Sequence, residues 1–120
     1  MGKSILIVDD SVTERKAISA PLRQLGYRVS MATDGDEGLK KAAGEMPDLI
    51  VLDVVMPKKN GFQVCRKLKM SATTKHIKVV MLTSKDQETD RFWGLRQGAD
   101  AYLTKPVVMN DLVTAIGNLI

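Results

Sequence analysis

Five polar side chains in this sequence stand where they could share phosphorus chemistry. Asp9 and Asp10 follow an apolar run at 4–8, and Asp53 ends another at 49–52. Thr83 follows a third run at 78–82, and Lys105 lies just beyond a fourth at 101–103, ahead of Pro106. Burying a lone carboxylate is expensive, so after Leu49-Ile50-Val51-Leu52 the side chain of Asp53 must emerge at an open strand end or meet a cation. Carboxylates brought into one crevice repel one another and push a pKa upward unless something neutralises them. Lys105 is one built-in remedy. Mg2+ is the other, since it is usually held by one or two carboxylates together with waters and a phosphate oxygen. A carboxylate kept ionised in this way can attack phosphorus and form an aspartyl phosphate. Such transfer depends on positioning and charge neutralisation, and the hydroxyl of Thr83 could donate to a phosphoryl oxygen. Taken singly, Thr83 reads as an ordinary strand-end residue and Lys105 as a solvated one. Their conjunction with the acids, each at a separate strand end, carries the inference.

The elements that must position these groups are legible from periodicity. Short apolar runs at 4–8, 28–32, 49–52, 78–82 and 101–103 are each followed by a polar turn and a segment of helical period. The first helix opens on the capping-box spacing Ser11-Val-Thr-Glu14, carries Ile18, Leu22 and Leu25, and stops at Gly26, with a kink or irregular turn expected at Pro21. The second begins near Asp34, buries Leu39, Ala42, Ala43 and Met46, and ends by Pro47. Asn60 caps the third, which presents Phe62, Cys65 and Leu68; the fourth runs from about Asp86 to Gln97; the last carries Leu112, Ala115, Ile116 and Leu119. Strand and helix alternate throughout, the α/β pattern of a (βα)5 doubly wound parallel sheet with helices on both faces. In open sheets of this kind the ligand crevice lies at the carboxyl ends of the strands, which is where the five polar residues fall.

Composition bounds the remaining possibilities. At 120 residues the chain is expected to be one domain, 1–120, with a composition (44% hydrophobic, 27% charged) that suits a globule with a real core. No apolar run approaches the ~20 residues of a membrane span, and "MGKSILIVDD" is not a signal peptide because acids arrive early. The single Cys65 reads as core, and a reducing cytoplasm is the expected setting. The net charge of +4 is uneven: no acid occurs between Asp53 and Asp86, where eight lysines and arginines fall. A solvated helix surface explains that stretch better than nucleic acid does, since no aromatic is interleaved for base stacking. His76, the only histidine, has no partner ligand nearby in sequence and is expected to be neither a relay nor a metal site.

"ILIVDDS", "LIVLDVVMP" followed by "NG", "VVMLTSKD" and "GADAYLTKP" resemble, in order and over the whole chain, the receiver domains of two-component response regulators, the CheY-like fold. The resemblance implies strand order 2-1-3-4-5. It implies that Asp53 accepts phosphate from a histidine kinase of the CheA-like class. Asp10, Asp53 and the backbone carbonyl of Val55 would bind Mg2+, with Asp9 helping through water. Thr83 and Tyr102 would be a switch pair acting on the face of the fourth helix, fifth strand and fifth helix, and Lys105 the salt-bridge partner. The segment "KDQETDRFWGLRQGADAYLTKP" is similar to small twitching-motility regulators of the PilH kind. The expectation is therefore a stand-alone, monomeric receiver without an output domain, passing its signal to a motility or pilus effector and catalysing only its own phosphorylation and slow dephosphorylation.

Val55 cannot orient a hydrolytic water, and Lys85 puts a cation at the pocket rim, so a long-lived phosphoryl group is expected. Phe92 and Trp93 are adjacent and point ~100° apart on a helix; either one packs on the sheet and the other, with Leu95 and Tyr102, offers a partner face, or both lie partly buried at the helix edge. Other roles stay open: a phosphate sink or phosphorelay intermediate, or a phosphatase of the haloacid-dehalogenase type. The phosphatase would want an Asp where Val55 stands. A flavin or nucleotide module would want a glycine loop in place of "DDSVTER".

Overall fold

The computed structural model describes residues 2–120. Strands β1 (Ser4–Val8), β2 (Arg28–Ala32), β3 (Leu49–Leu52), β4 (Lys78–Thr83) and β5 (Ala101–Thr104) alternate with helices α1 (Val12–Gln24), α2 (Gly35–Glu45), α3 (Gly61–Met70), α4 (Glu88–Arg96) and α5 (Met109–Leu119). The strands form one parallel sheet in the order β2-β1-β3-β4-β5, as expected.

The apolar runs are continuous because both faces of the sheet are covered. Leu6, Val8, Ile50, Leu52, Val79 and Met81 face a core shared with Ala42 of α2 and with Val64, Cys65 and Leu68 of α3. Their alternates Ile5, Ile7, Leu49, Val51, Val80 and Leu82 face Ile18 and Leu22 of α1 and Leu112 and Ile116 of α5. In β3 all four residues are buried, so the strand that delivers Asp53 is gripped from both sides.

Local chemistry sets the helix starts. Ser11 accepts the Glu14 amide, Asp34 the Glu37 amide, and Asn60 and Gln63 complete a reciprocal capping box. At α1 the box stays half-made, because the Glu14 carboxylate lies toward Lys105 at 3.8 Å. Helix α1 also runs through Pro21 to Gln24 as one element. Pro21 falls in its final turn, and buried Ile18 and Leu22 hold that turn against the sheet. In α2 the expected burial of Ala43 and Met46 does not occur. Both are exposed, because the apolar stripe there is narrower: Gly35, Gly38 and Ala42 form it, with Leu39 packed at its edge.

Candidate functional site

Register brings the acids together. Val8 of β1 is opposite Leu52 of β3, so the residues that follow, Asp9 and Asp53, leave the sheet at one level. The hydrogen-bond ladder continues one step past the strands: the Asp9 amide donates to the Ala32 carbonyl (3.2 Å), the Asp53 amide to Val8 (3.0 Å) and the Lys105 amide to Thr83 (2.8 Å). The ends of β1, β3 and β5 are thereby extended as rigid stems.

Within this crevice Asp9 is 3% and Asp53 8% exposed. Each carboxylate is satisfied in a similar way. Asp9 Oδ1 accepts the Ser11 amide (2.9 Å) and its Oδ2 the Lys105 ammonium (2.8 Å). Asp53 Oδ1 accepts the Val54 amide (2.7 Å) and its Oδ2 the same ammonium (3.3 Å). One cation thus bridges two buried anions, the arrangement that makes such burial tolerable. Burial alone would lower the Lys105 pKa. The hydrogen bond to Asp9 and the charges of Asp53, Asp9 and Glu14 outweigh it, and hold the ammonium above its ordinary value. Lys105 precedes Pro106 across a cis peptide bond.

Asp10 is exposed at the mouth, and carboxylate oxygens of Asp9, Asp10 and Asp53 lie within 4.8 Å of one another. Three hard oxygen donors at that spacing suit a small divalent cation. Among the described residues no histidine joins them, and His76 is exposed in the turn before β4.

Thr83 is fully buried at the tip of β4, and its Oγ1 accepts the Lys85 amide (3.3 Å). Tyr102 is equally enclosed at 2% exposure, and its hydroxyl donates to the Lys85 carbonyl (2.7 Å). The Lys85 peptide therefore links the two residues. Burial, reinforced by the carboxylates of Asp90, Asp53 and Asp86, pushes the Tyr102 phenol up to about 12. This placement corrects one expectation: Tyr102 is part of the interior and not of the partner face. The Lys85 ammonium lies 3.8 Å from Asp90 on α4, and the Val55 side chain is exposed beside the mouth.

The expectation that Phe92 or Trp93 packs on the sheet is also corrected. Both are exposed, at 60% and 54%, as is Leu95. Gly94 takes the inward position, where a Cβ would come 2.6 Å from Tyr102 Cδ2 and 2.9 Å from Met81 Sδ. Only the absence of a side chain lets α4 close over the ring.

Three contributors escaped the sequence reading. Gly61 lets α3 start against β3, since a Cβ there would lie 2.2 Å from the Asp53 carbonyl; the pair Asn60-Gly61 was the available signal. Arg15 donates to the Asp9 carbonyl (2.7 Å), and Glu14 flanks Lys105. Neither had a distinguishing sequence signal, because surface charges on a first helical turn are commonplace.

A doubly wound sheet with an acidic nest and a lysine at its carboxyl edge defines a class of signalling domain. Residues 5–117 match the response regulator receiver domain. The chain belongs to that family, whose members are signalling domains and not conventional enzymes. It is 49% identical to Protein PilH of Pseudomonas aeruginosa over 112 residues, 93% of each chain. It is 48% identical to response regulator PleD of Caulobacter vibrioides, covering 89% of this chain but 24% of that protein. Chemotaxis response regulator CheY4 of Vibrio cholerae superimposes with a TM-score of 0.93 over all of both chains at 32% identity. Among the described residues no helix is long and apolar enough to cross a membrane.

Proposed function

We propose that this chain is a response regulator receiver, accepting a phosphoryl group on Asp53 from the phosphohistidine of a kinase. The observation that carries the reading is the shared Lys105 ammonium, 2.8 Å from Asp9 and 3.3 Å from Asp53 with Asp10 alongside. The acceptor stands at the end of a buried strand and is paired with a cation. In the transfer an Asp53 Oδ–P bond forms as the donor's P–N bond breaks, and the freed imidazole nitrogen takes a proton from solvent. Lys105 then faces the added oxygens, and its charge is worth most in this largely dry crevice. Asp10, Asp53, Asp9 and the Val55 carbonyl are the groups that would hold Mg2+, which when bound neutralises charge on the transferring phosphoryl group.

Coupling would run through the Lys85 peptide. If the Thr83 hydroxyl turns to a phosphoryl oxygen, it releases the Lys85 amide, and the Tyr102 hydroxyl is tied to the carbonyl of the same residue. The ring lies inward here, so the switch requires an outward alternative that phosphorylation disfavours. The output face would be that of α4, β5 and α5, and exposed Phe92 and Leu95 support it. Likeness to PilH supports a motility pathway, pilus-based twitching before chemotaxis. A long phosphoryl lifetime is part of the reading, as the Val55 side chain offers no polar atom to orient water.

Labelling with a small phosphodonor tests it. Wild type should label only with Mg2+ present, and Asp53→Asn should not label at all. Labelling that persists in Asp53→Asn, or that ignores chelation of the metal, overturns the assignment.

A further inference from the structure

Trp93, Arg66 and Arg96 take no part in the chemistry around Asp53, yet they meet on one face. Between α3 and α4 lies a groove of ≈ 410 Å³ lined by Arg66, Lys69, Met70, Trp93, Arg96 and Gln97. Its apolar members are open to solvent, Met70 at 73% and Trp93 at 54%. Its charges are all positive. Lys69 is committed to Asp100 (3.1 Å) and to the Ile77 carbonyl (2.8 Å). Among the described residues neither Arg66 nor Arg96 forms an ion pair, and Arg96 instead lies over the Phe92 ring, 5.8 Å from its centroid. Phe92 and Leu95 border a separate hollow with Glu88, Thr89 and Arg91 on the other side of α4.

We propose that this α3–α4 groove docks an acidic protein segment, which seats an apolar side chain beside Trp93 and Met70 while its carboxylates meet Arg66 and Arg96. Tryptophan, arginine and methionine are enriched at interface centres, and two unpaired guanidiniums flanking an apolar slot complement a ligand that alternates acid and apolar residues. A nucleic acid fits less well. It needs a track of cations matched to successive phosphates, whereas here two guanidiniums without carboxylate partners bracket a single slot beside an aliphatic thioether. The surface lies away from the phosphoacceptor and stands whether or not Asp53 is phosphorylated.

Trp93 is the only tryptophan, so its emission reports on the groove directly. The test titrates the full chain with a synthetic peptide alternating glutamate with leucine, with a lysine-for-glutamate version, and with a single-stranded oligonucleotide. The glutamate peptide is expected to shift Trp93 emission saturably, to lose that effect at high salt, and to bind Asp53→Asn equally well. By fluorescence anisotropy of the labelled peptide, Arg66→Glu and Arg96→Glu should each weaken binding about tenfold. Circular dichroism checks that both variants keep the fold. Equal binding by the lysine peptide, a tighter fit of the oligonucleotide, unchanged affinity in both charge-reversal variants, or an emission shift that follows protein concentration alone would each overturn the proposal.

Discussion

Helices α3 and α4 are nearly equal in length, 10 and 9 residues, and pack against each other, yet they are held in opposite ways. α3 buries Gly61, Val64, Cys65 and Leu68. α4 buries Gly94 alone and turns Phe92, Trp93 and Leu95 outward. Apolar anchoring holds the first firmly against the sheet beside Asp53. Its scarcity leaves the second dependent on how Tyr102 sits beneath it, and elements with little buried apolar surface are the ones that move at low cost. The contrast fits the proposed function, which wants a fixed site for the phosphoryl group and a weakly held element beside it.

Paired truncations give the broadest test of that contrast. Leu68→Ala should destabilise by about 2–5 kcal/mol, because it opens a cavity in a fully packed core. Leu95→Ala should stay within about 0.5 kcal/mol, as exposed positions do. Urea denaturation followed by circular dichroism measures both. Losses of equal size would show that α4 is anchored as firmly as α3.

A sharper version targets Gly94. Alanine ordinarily favours a helix interior by about 0.5–1 kcal/mol over glycine, but here its Cβ would fall 2.6 Å from the Tyr102 ring. Overpacking of this kind costs about 1–3 kcal/mol unless the ring leaves. Gly94→Ala is therefore expected to turn Tyr102 outward. Its phenol, pushed up to about 12 by burial, should then titrate near the ordinary 10.0. Phenolate absorbance against pH reads this out, and an unchanged titration would mean that α4 yields and not the ring.

The smallest effect lies on the fixed side, in the alkaline limb of stability. The Lys105 pKa is raised in the folded state, so its contribution is complete below the ordinary 10.5 and drains away as pH rises through the folded value. Tyr102 and Cys65 act with the same sign, each pushed up to about 12 by burial from 10.0 and 9.0. Stability should thus decline above about pH 9. In Lys105→Met the decline should be shallower by up to about one proton, starting from a lower plateau because Asp9 and Asp53 lose their shared cation. Urea midpoints measured across pH would show it, and an alkaline limb of wild-type steepness would remove Lys105 from the account.

Where the sequence reading succeeded, the signal was local or periodic. Five strands were placed to within a residue, and the capping residues Ser11, Asp34 and Asn60 did as their types suggest. The acids and Lys105 were legible because each follows a strand, and strand ends of a parallel sheet share one edge. The misreadings concern which way a side chain faces on a weakly amphipathic element. Ala43, Met46, Phe92, Trp93 and Tyr102 all lie where residue type says "apolar" but only the neighbouring element decides burial.

By itself, then, the order of residues determined the alternation of elements, the rigid stems and the chemical character of their tips, since these depend on backbone propensity, hydrophobic period and residue type. Tertiary structure alone decided that one ammonium bridges Asp9 and Asp53, that Gly94 makes room for an inward Tyr102, and that Trp93 joins Arg66 and Arg96 across two helices. Each of those facts is a distance between segments far apart in the chain, set by register and close packing, and no local pattern encodes such a distance.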